Sequence, residues 1–260
     1  IDQIWNSTNT SLNVTLTLPN DSAILSFNPL DGWSRFYDNN PGSVTSHGTN
    51  SLQLNVLTLE VWTKISSADT YDGLVAYGQA DALSESGYGF VYFNGLWRFF
   101  LATDNMSQNT WESNPATSIQ NGVWTHLAGT YDGSVIKLYK DGVLVNSSDQ
   151  TGDVDYTNVS GTQFYVGKFL NDAAYNYFHG NVSEVRVWNY ARSQEEIAGF
   201  RSWTVDPAEE GLVAYLPMTG NLTDLTGNNE AVMGVNGYWA PEAPSALINR
   251  DFLEENYDNT

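Results

Sequence analysis

The chain has 260 residues, of which 41% are hydrophobic and 13% aromatic, so it can bury a sizeable core and does not have the composition of a disordered tail. Its 30 acidic residues outnumber its 10 basic ones, and the net charge of -20 argues against nucleic acid as a partner. It has no cysteine, which excludes disulfides, zinc-thiolate sites and thiol catalysis, and no apolar run long enough for membrane insertion.

Alternation of apolar and polar residues predicts a series of short strands. In residues 12–18, Leu12, Val14, Leu16 and Leu18 alternate with polar residues, as in a half-buried strand. Further strands are predicted at 23–28, 57–65, 73–79, 87–93, 96–103, 122–130, 134–139, 142–146, 163–169, 182–189 and 211–217. Many short strands separated by Gly, Asn, Asp and Ser are typical of antiparallel sandwiches and barrels.

Three dipeptides mark tight turns between these strands, namely Asn94-Gly95, Asp132-Gly133 and Asp141-Gly142. Type I′ hairpin turns need positive φ at both central residues, which Asn-Gly and Asp-Gly adopt readily. We therefore predict hairpins or meanders over 87–103 and 122–146.

One short helix is predicted near 193–201. Ser193 and Glu196 have the spacing of a capping box, and Ile197 and Phe200 supply apolar contacts. The last residues, 241–260, are expected to be a C-terminal tail or a linker.

Several motifs resemble laminin-G-like domains of the concanavalin A-like lectin/glucanase superfamily. The central signature is GVWTHLAGTYDG (122–133) followed by IKLYKDG (136–142). The later motifs are GNVSEVRVWN (180–189) with ARSQEEI (191–197), and GLVAYLP (211–217) with DLTGNN (224–229). Upstream, LSF (25–27) and TLEVW (58–62) match more loosely, so that the resemblance covers roughly 23–239.

The resemblance implies an all-β fold, a jelly-roll sandwich of two antiparallel sheets, of which one is concave. We expect one such domain over 1–240, including an N-terminal strand. Family members serve mainly as carbohydrate- or protein-binding modules of secreted and adhesive proteins, and many bind calcium at the rim. Some relatives in the wider superfamily are glycoside hydrolases or polysaccharide lyases, so the fold alone does not decide function.

Few residue patterns in this sequence are typical of an active site. A retaining hydrolase needs two carboxylates about 5–5.5 Å apart, but Glu60 and Glu184 each stand alone in a predicted strand, which fits a surface or salt-bridging role. Asp153 and Asp155 have a suitable spacing but lie in a predicted loop. No catalytic residue is therefore assigned.

A lyase would need a base such as histidine. We expect His126, inside the family signature, to have a packing role. We expect His179 to precede a turn and to bond a carbonyl group. His47 lies in a predicted loop.

Two loops are rich in the oxygen ligands that calcium prefers. The candidate metal ligands are Asp31, Asp38 and Asn39 in the first loop, and Asp224 and Asn228 in the second. Asp and Asn also form Asx turns without a metal, and that alternative stays open. Calcium is therefore a candidate cofactor only.

Sugar recognition needs exposed aromatic rings beside polar partners, since apolar sugar faces stack on rings. Candidate rings in or near predicted loops are Trp33, Trp97, Trp111, Tyr175 and Tyr177. The alternative is that these rings only cap the ends of the sandwich.

Nine Asn-x-Ser/Thr sequons, together with the absence of cysteine, favour an extracellular, secreted or cell-surface location. The sequons begin at Asn6, Asn9, Asn13, Asn20, Asn105, Asn146, Asn158, Asn181 and Asn221. Because the first residue is Ile1 rather than Met, we expect the chain to be a processed or excised part of a larger protein.

The sequence thus favours a non-catalytic binding module that recognises a glycan, such as an extracellular polysaccharide, through rim loops. The alternatives are a protein-binding or structural adhesion module, and a polysaccharide hydrolase or lyase.

Overall fold

The computed structural model describes residues 2–4, 12–18, 21–27, 34–38, 44–48, 50–69, 71–80, 85–105, 114–157, 164–168, 176–218, 222–232, 238–240 and 243–244. Its strands are β1 (Asp2–Ile4), β2 (Leu12–Leu18), β3 (Asp21–Phe27), β4 (Ser34–Asp38), β5 (Val44–Gly48), β6 (Leu57–Ser67), β7 (Asp72–Ala80), β8 (Glu85–Phe93), β9 (Leu96–Leu101), β10 (Ala116–Thr117), β11 (Trp124–Tyr131), β12 (Val135–Lys140), β13 (Val143–Asp149), β14 (Phe164–Val166), β15 (Asn176–Tyr177), β16 (His179–Trp188), β17 (Leu212–Leu216), β18 (Asn229–Val232) and β19 (Tyr238–Ala240). The helix α1 spans Gln194–Phe200. No helix in the described ranges is both long and apolar enough to cross a bilayer.

Most strands belong to two eight-stranded sheets. The helix-side sheet has the order β13-β12-β11-β6-β16-β4-β19, with β17 also paired to β16. The glycine-rich sheet has the order β10-β9-β8-β7-β14-β5-β18, and the two-residue β15 pairs parallel to β7 at its margin. All other strand pairings among the described residues are antiparallel, which confirms the predicted jelly-roll sandwich.

The N-terminal strands β1, β2 and β3 form a separate three-stranded sheet. Leu12 pairs with Phe27 and Leu18 with Asp21 in one continuous register. Within the described residues, these strands pair only with one another. A single domain over 1–240 stays a prediction.

The main core lies between the two large sheets. Along β6, Leu57, Leu59 and Val61 alternate towards the glycine-rich sheet and are fully buried. From that sheet, Phe90 and Phe99 point back into the same cluster. Period-two alternation therefore supplies the inward face of both layers.

Gly129 of β11 lies against the ring of Phe99 from the opposite sheet. A Cβ atom at this position would lie 2.2 Å from atoms of the Phe99 ring. Because the buried ring has little room to move, we expect Gly129→Ala to lower the free energy of unfolding by about 1–3 kcal/mol in urea titrations. The control is Gly199→Ala on α1, where a Cβ meets nothing within 4 Å and stability should be unchanged or higher. Equal stability of the two variants would contradict this prediction.

The helix α1 covers part of the outer face of the helix-side sheet. It begins at the predicted capping box, in which Ser193 Oγ accepts from the Glu196 N–H and Glu196 Oε2 accepts from the Ser193 N–H. Ile197 is fully buried against Ala128 and Tyr139 of the sheet. Ile197 therefore anchors the helix as predicted, whereas Phe200, the other predicted apolar contact, is 46% exposed.

Two of the three predicted turns have the expected backbone. Asn94 and Asp141 have φ of 51°, and the glycine after each has φ of 80°, as a type I′ turn requires. The prediction of a type I′ turn at Asp132-Gly133 is wrong, because only Gly133 has positive φ. Asp132 Oδ1 instead accepts from the N–H groups of Ser134 and Val135, forming an Asx turn.

Every predicted strand overlaps an observed strand, but some ends differ. The strand predicted at 163–169 is the three-residue β14, because Gly167 with φ of 83° ends it. The sequence analysis did not predict β1, β4, β5, β10, β15, β18 or β19, which have at most five residues each and therefore show little alternation. The tail 241–260 lies outside the described residues apart from 243–244.

Candidate ligand-binding face

The outer face of the glycine-rich sheet is crossed by a row of four residues from four strands. Arg98 of β9 is paired with Val91 of β8, Val91 with Gly73 of β7, and Gly73 with Tyr177 of β15. Side chains of paired residues lie on the same face of a sheet. Trp97, next to Arg98, packs in the core, so Arg98 and its row point outwards.

A second row lies beside the first. Phe100 of β9 is paired with Gly89 of β8, Gly89 with Ala76 of β7, and Ala76 with Tyr165 of β14. In both rows the middle positions are small or medium-sized, whereas the ends carry large planar groups. Three interstrand spacings of about 4.8 Å put the two ends roughly 14 Å apart. We call these two rows and their flanking rings the aromatic face.

The β9 end of the aromatic face is a stack of planar groups. The rings of Tyr71 and Phe93 are stacked with centroids 5.1 Å apart, and the Arg98 guanidinium carbon lies 5.8 Å from the Phe93 centroid. Arg98 Nη1 also donates to the Asn114 carbonyl at 3.1 Å. Tyr71 has a φ of 72°, a left-handed backbone that non-glycine residues adopt rarely and that often occurs at functional sites.

The opposite end places a lysine between two tyrosines. Lys168 Nζ lies 5.5 Å from the ring centroid of Tyr165 and 5.6 Å from that of Tyr177. Burial raises the pKa of Tyr165 to about 12, so its hydroxyl stays protonated at neutral pH. This end therefore combines two ring systems with one cation.

Solvent reaches the aromatic face from one margin. Five residues of the two rows are buried, namely Ala76, Val91, Arg98, Phe100 and Tyr165. Phe93, Lys168 and Tyr177 are partly exposed, and Tyr71 is 37% exposed. A ligand would therefore contact this accessible margin, where the rings of Tyr71, Phe93 and Tyr177 lie, rather than the buried middle of the rows.

The structure places only some of the ring residues predicted from sequence. Tyr177 lies at the end of the first row, and its role in binding stays a prediction. Trp97 is 2% exposed and packs against Phe178 at a centroid distance of 5.9 Å, so its prediction as an exposed platform is wrong. It alternates with Phe99 and Leu101 along an inward face, a signal that the sequence contains. Trp33, Trp111 and Tyr175 lie outside the described residues.

In the second predicted metal loop, the carboxylate of Asp224 accepts hydrogen bonds from protein N–H groups. Asp224 is buried; its Oδ1 accepts from the Tyr215 and Thr226 N–H groups, and its Oδ2 accepts from Asn229. Asn228 donates to the Val213 carbonyl at 3.5 Å. A carboxylate surrounded by N–H donors does not fit a cation, and the contacts match the Asx alternative.

The first predicted metal loop is only partly described. Asp38 ends β4, where its side chain lies outside the described part, as do Asp31 and Asn39 altogether. In the part of the chain that the structure does describe, no three or more His, Asp or Glu residues are grouped to hold a metal. Calcium therefore stays a prediction that depends on the first loop.

Glu60 is buried beneath α1, on the outer face of the helix-side sheet. Arg192 Nη1 donates to Glu60 Oε1, and His126 Nε2 lies 3.2 Å from Glu60 Oε2. Burial would raise the pKa of Glu60, but the contact with His126 and the charge of Arg192 outweigh burial and lower the pKa to about 2. Burial lowers the pKa of His126, which is neutral at pH 7. His126 is 1% exposed and its ring centroid lies 5.4 Å from that of Trp62, in agreement with the packing role predicted for it.

Glu184 forms a second buried ion pair, with Arg186. Arg186 Nη2 donates to Glu184 Oε2 at 2.5 Å, and the Tyr215 hydroxyl donates to the same oxygen at 2.9 Å. Burial raises the pKa of Glu184, although the charge of Arg186 partly opposes this effect. Glu184 has a φ of 54° and lies at an irregularity in the pairing of β16 with β6.

These two carboxylates have the salt-bridging role predicted from sequence, but they are buried rather than on the surface. Glu60 is 0% and Glu184 1% exposed, which closes both to a polysaccharide. His179 lies in β16 rather than before a turn, and its Nδ1 is 2.8 Å from Ser67 Oγ. His47 likewise lies in β5 and not in a loop.

Comparison with known families agrees with this architecture. A laminin G family model of the concanavalin A-like lectin/glucanases superfamily matches residues 38–198, more than half of the chain. The chain belongs to this superfamily. The recognition made from sequence motifs is therefore confirmed.

Among curated proteins, this concanavalin A-like chain is similar to pappalysin-1 from Mus musculus, with 38% identity over 98 residues. That match spans 37% of this chain but only 6% of pappalysin-1.

Solved structures share the fold of this concanavalin A-like chain. A Bacteroides ovatus protein assigned a carbohydrate-binding role has a TM-score of 0.61 and 20% identity, with 86% of this chain and 64% of that chain covered. A pentraxin from Limulus polyphemus has a TM-score of 0.53 and 11% identity, with 81% of this chain and 95% of that chain covered. At such identities the likeness establishes the fold alone.

Proposed function

We propose that this chain is a non-catalytic carbohydrate-binding module of an extracellular protein, and that the aromatic face holds the glycan. The observation that carries the proposal is the accessible margin of this face, where the rings of Tyr71 and Tyr177 and the Lys168 ammonium group lie. Tyr71 and Tyr177 present accessible rings for stacking on sugar faces, and Lys168 supplies a hydrogen-bond donor for hydroxyl groups.

The proposal of binding without catalysis is supported by Glu60 and Glu184. Each is buried, and each is held by an arginine. A retaining hydrolase needs an acid and a nucleophile that both reach the glycosidic bond. The Bacteroides ovatus protein that shares this fold has been assigned a carbohydrate-binding role, which supports a sugar as the ligand of this chain.

A glycan array followed by titration calorimetry tests this function. We expect a polysaccharide or oligosaccharide ligand, and we expect Tyr177→Ala to weaken its affinity about tenfold, because a lost ring contact of about 1.4 kcal/mol changes Kd by that factor. The matched control is Phe200→Ala, which removes a 46% exposed ring from the other outer face and should leave affinity unchanged.

The same array run with EDTA separates the remaining alternatives. Loss of binding on chelation would support calcium as a cofactor. Absence of any glycan ligand, with and without EDTA, would favour the protein-binding or adhesion module instead. Turnover of a bound polysaccharide would contradict the non-catalytic assignment.

A further inference from the structure

The strand β13 forms an exposed edge of the helix-side sheet. It pairs with β12, and no other described strand pairs with its outer edge. Three consecutive apolar residues lie on it, with Val143, Leu144 and Val145 exposed by 58%, 41% and 42%. An exposed apolar edge with unpaired backbone groups is a template for pairing with another chain.

A β-bulge in β13 already limits pairing of this edge with another chain. The pairing of β12 with β13 shifts register between Leu138 and Tyr139, so Val145 is an extra residue in the edge strand. Such bulges twist an edge away from a partner. The bulge lies at one end of the apolar run and leaves Val143 and Leu144 in regular pairing with β12.

The sequon at Asn146 follows the apolar run directly. Asn146 and Ser147 are exposed, and Ser148, which supplies the hydroxyl of the sequon, is half-buried in the same strand. Asn146 Nδ2 donates to the Ala116 carbonyl at 3.3 Å. Because an N-glycosylated amide keeps one N–H, attachment of a sugar need not remove this hydrogen bond.

Other described sequons are less suited to carry a glycan. Asn181 is 2% exposed in β16, which pairs with strands on both sides, and a sugar there has no space in the folded chain. Asn105 is exposed, but its Nδ2 lies so close to Gly152 that a Cβ on that glycine would be 2.8 Å away. Asn13 lies in β2, where only the backbone is described, and the remaining five sequons lie outside the described residues.

We propose that Asn146 is an N-glycosylation site whose glycan covers the apolar edge of β13 and prevents edge-to-edge association. The donor is a lipid-linked oligosaccharide pyrophosphate. The bond between its anomeric carbon and the phosphate oxygen breaks, a bond from that carbon to Asn146 Nδ2 forms, and an amide proton leaves to the base of the transferase. The inference rests on the extracellular location proposed above.

The test is secretion of the full chain from a eukaryotic cell, followed by peptide-N-glycosidase F in ¹⁸O-water and peptide mass spectrometry. We expect ¹⁸O-labelled aspartate at position 146 and unmodified Asn181. A secreted, folded chain without a glycan at Asn146 would overturn the proposal, whether or not other sequons are occupied.

Two variants test the covering role. Asn146→Gln and Ser148→Ala each abolish the sequon, and the second keeps the Asn146 amide. Both should lose one glycan and self-associate more strongly in size-exclusion chromatography with light scattering, and adding Leu144→Lys should restore the monomer. If both stay as monomeric as the parent, the covering role is wrong. Glycan binding by the aromatic face, measured on the same variants, should not change, so this outcome is distinct from failure of the proposed function.

Discussion

Replacing Arg186 with methionine should lower the free energy of unfolding by about 3–5 kcal/mol. The buried guanidinium balances the charge of Glu184 and donates to the Trp203 carbonyl at 2.6 Å. Methionine has similar bulk but removes the charge, which leaves a carboxylate in an apolar site. Burial already raises the pKa of Glu184, and without Arg186 only the hydrogen bond from Tyr215 still opposes that effect. Urea unfolding at pH 7 measures the loss.

The control is the double variant Arg186→Met with Glu184→Gln. Removal of both charges leaves no uncompensated ion, so we expect the double variant to be more stable than Arg186→Met alone. The single variant should also lose more stability at pH 8 than at pH 5. A raised folded pKa of Glu184 gives stability at low pH that is lost as the pH rises through it. Equal stability of single and double variants would mean that the ion pair is not what Arg186 contributes.

Local features of the fold were predictable because neighbouring residues determine them. The capping box of Ser193 and Glu196 places the start of α1 correctly, and the Asp-Gly pair at Asp141 produces its turn. The same pair at Asp132 does not, because the Asp132 carboxylate accepts from two following N–H groups. A dipeptide preference is therefore outweighed by a side-chain hydrogen bond that depends on the loop around it.

The candidate site was only partly predictable, because it depends on pairing between distant strands. Gly73 and Tyr177 meet in a parallel pair of two residues, which no local pattern indicates. Alternating glycines in GYGF, at Gly87 and Gly89, do indicate a face without side chains, but not which rings flank it. Arg192 reaches Glu60 across 132 positions of sequence, so the buried ion pair was beyond local analysis.

The second prediction with a large expected effect is a loss of folding stability at low pH. Between pH 7 and pH 3, we expect the titration of Glu60 to lower the free energy of unfolding by about 2 kcal/mol. The reason is that its pKa is about 2 in the folded chain, against an ordinary value of 4.5. A lowered carboxyl pKa gives stability that is complete above the unfolded value and is lost as the pH falls towards the folded value. His126 acts in the same direction, because its lowered pKa favours the neutral ring in the fold while the unfolded ring takes up a proton below about 6.5. Glu184, with its raised pKa, opposes them in part.

Comparing the parent chain with Glu60→Gln isolates the carboxylate, because Glu184 and the exposed acids are common to both. Glutamine leaves Arg192 without its anion, so the variant should be less stable at pH 7, where Glu60 is charged in both the folded and unfolded states. As the pH falls from 4.5 to 3, the parent should lose stability more steeply, and the two curves of unfolding free energy against pH should converge. Parallel curves over that range would mean that Glu60 titrates in the fold at its ordinary pKa. In that case the contacts with Arg192 and His126 would contribute no net stability to its charged form.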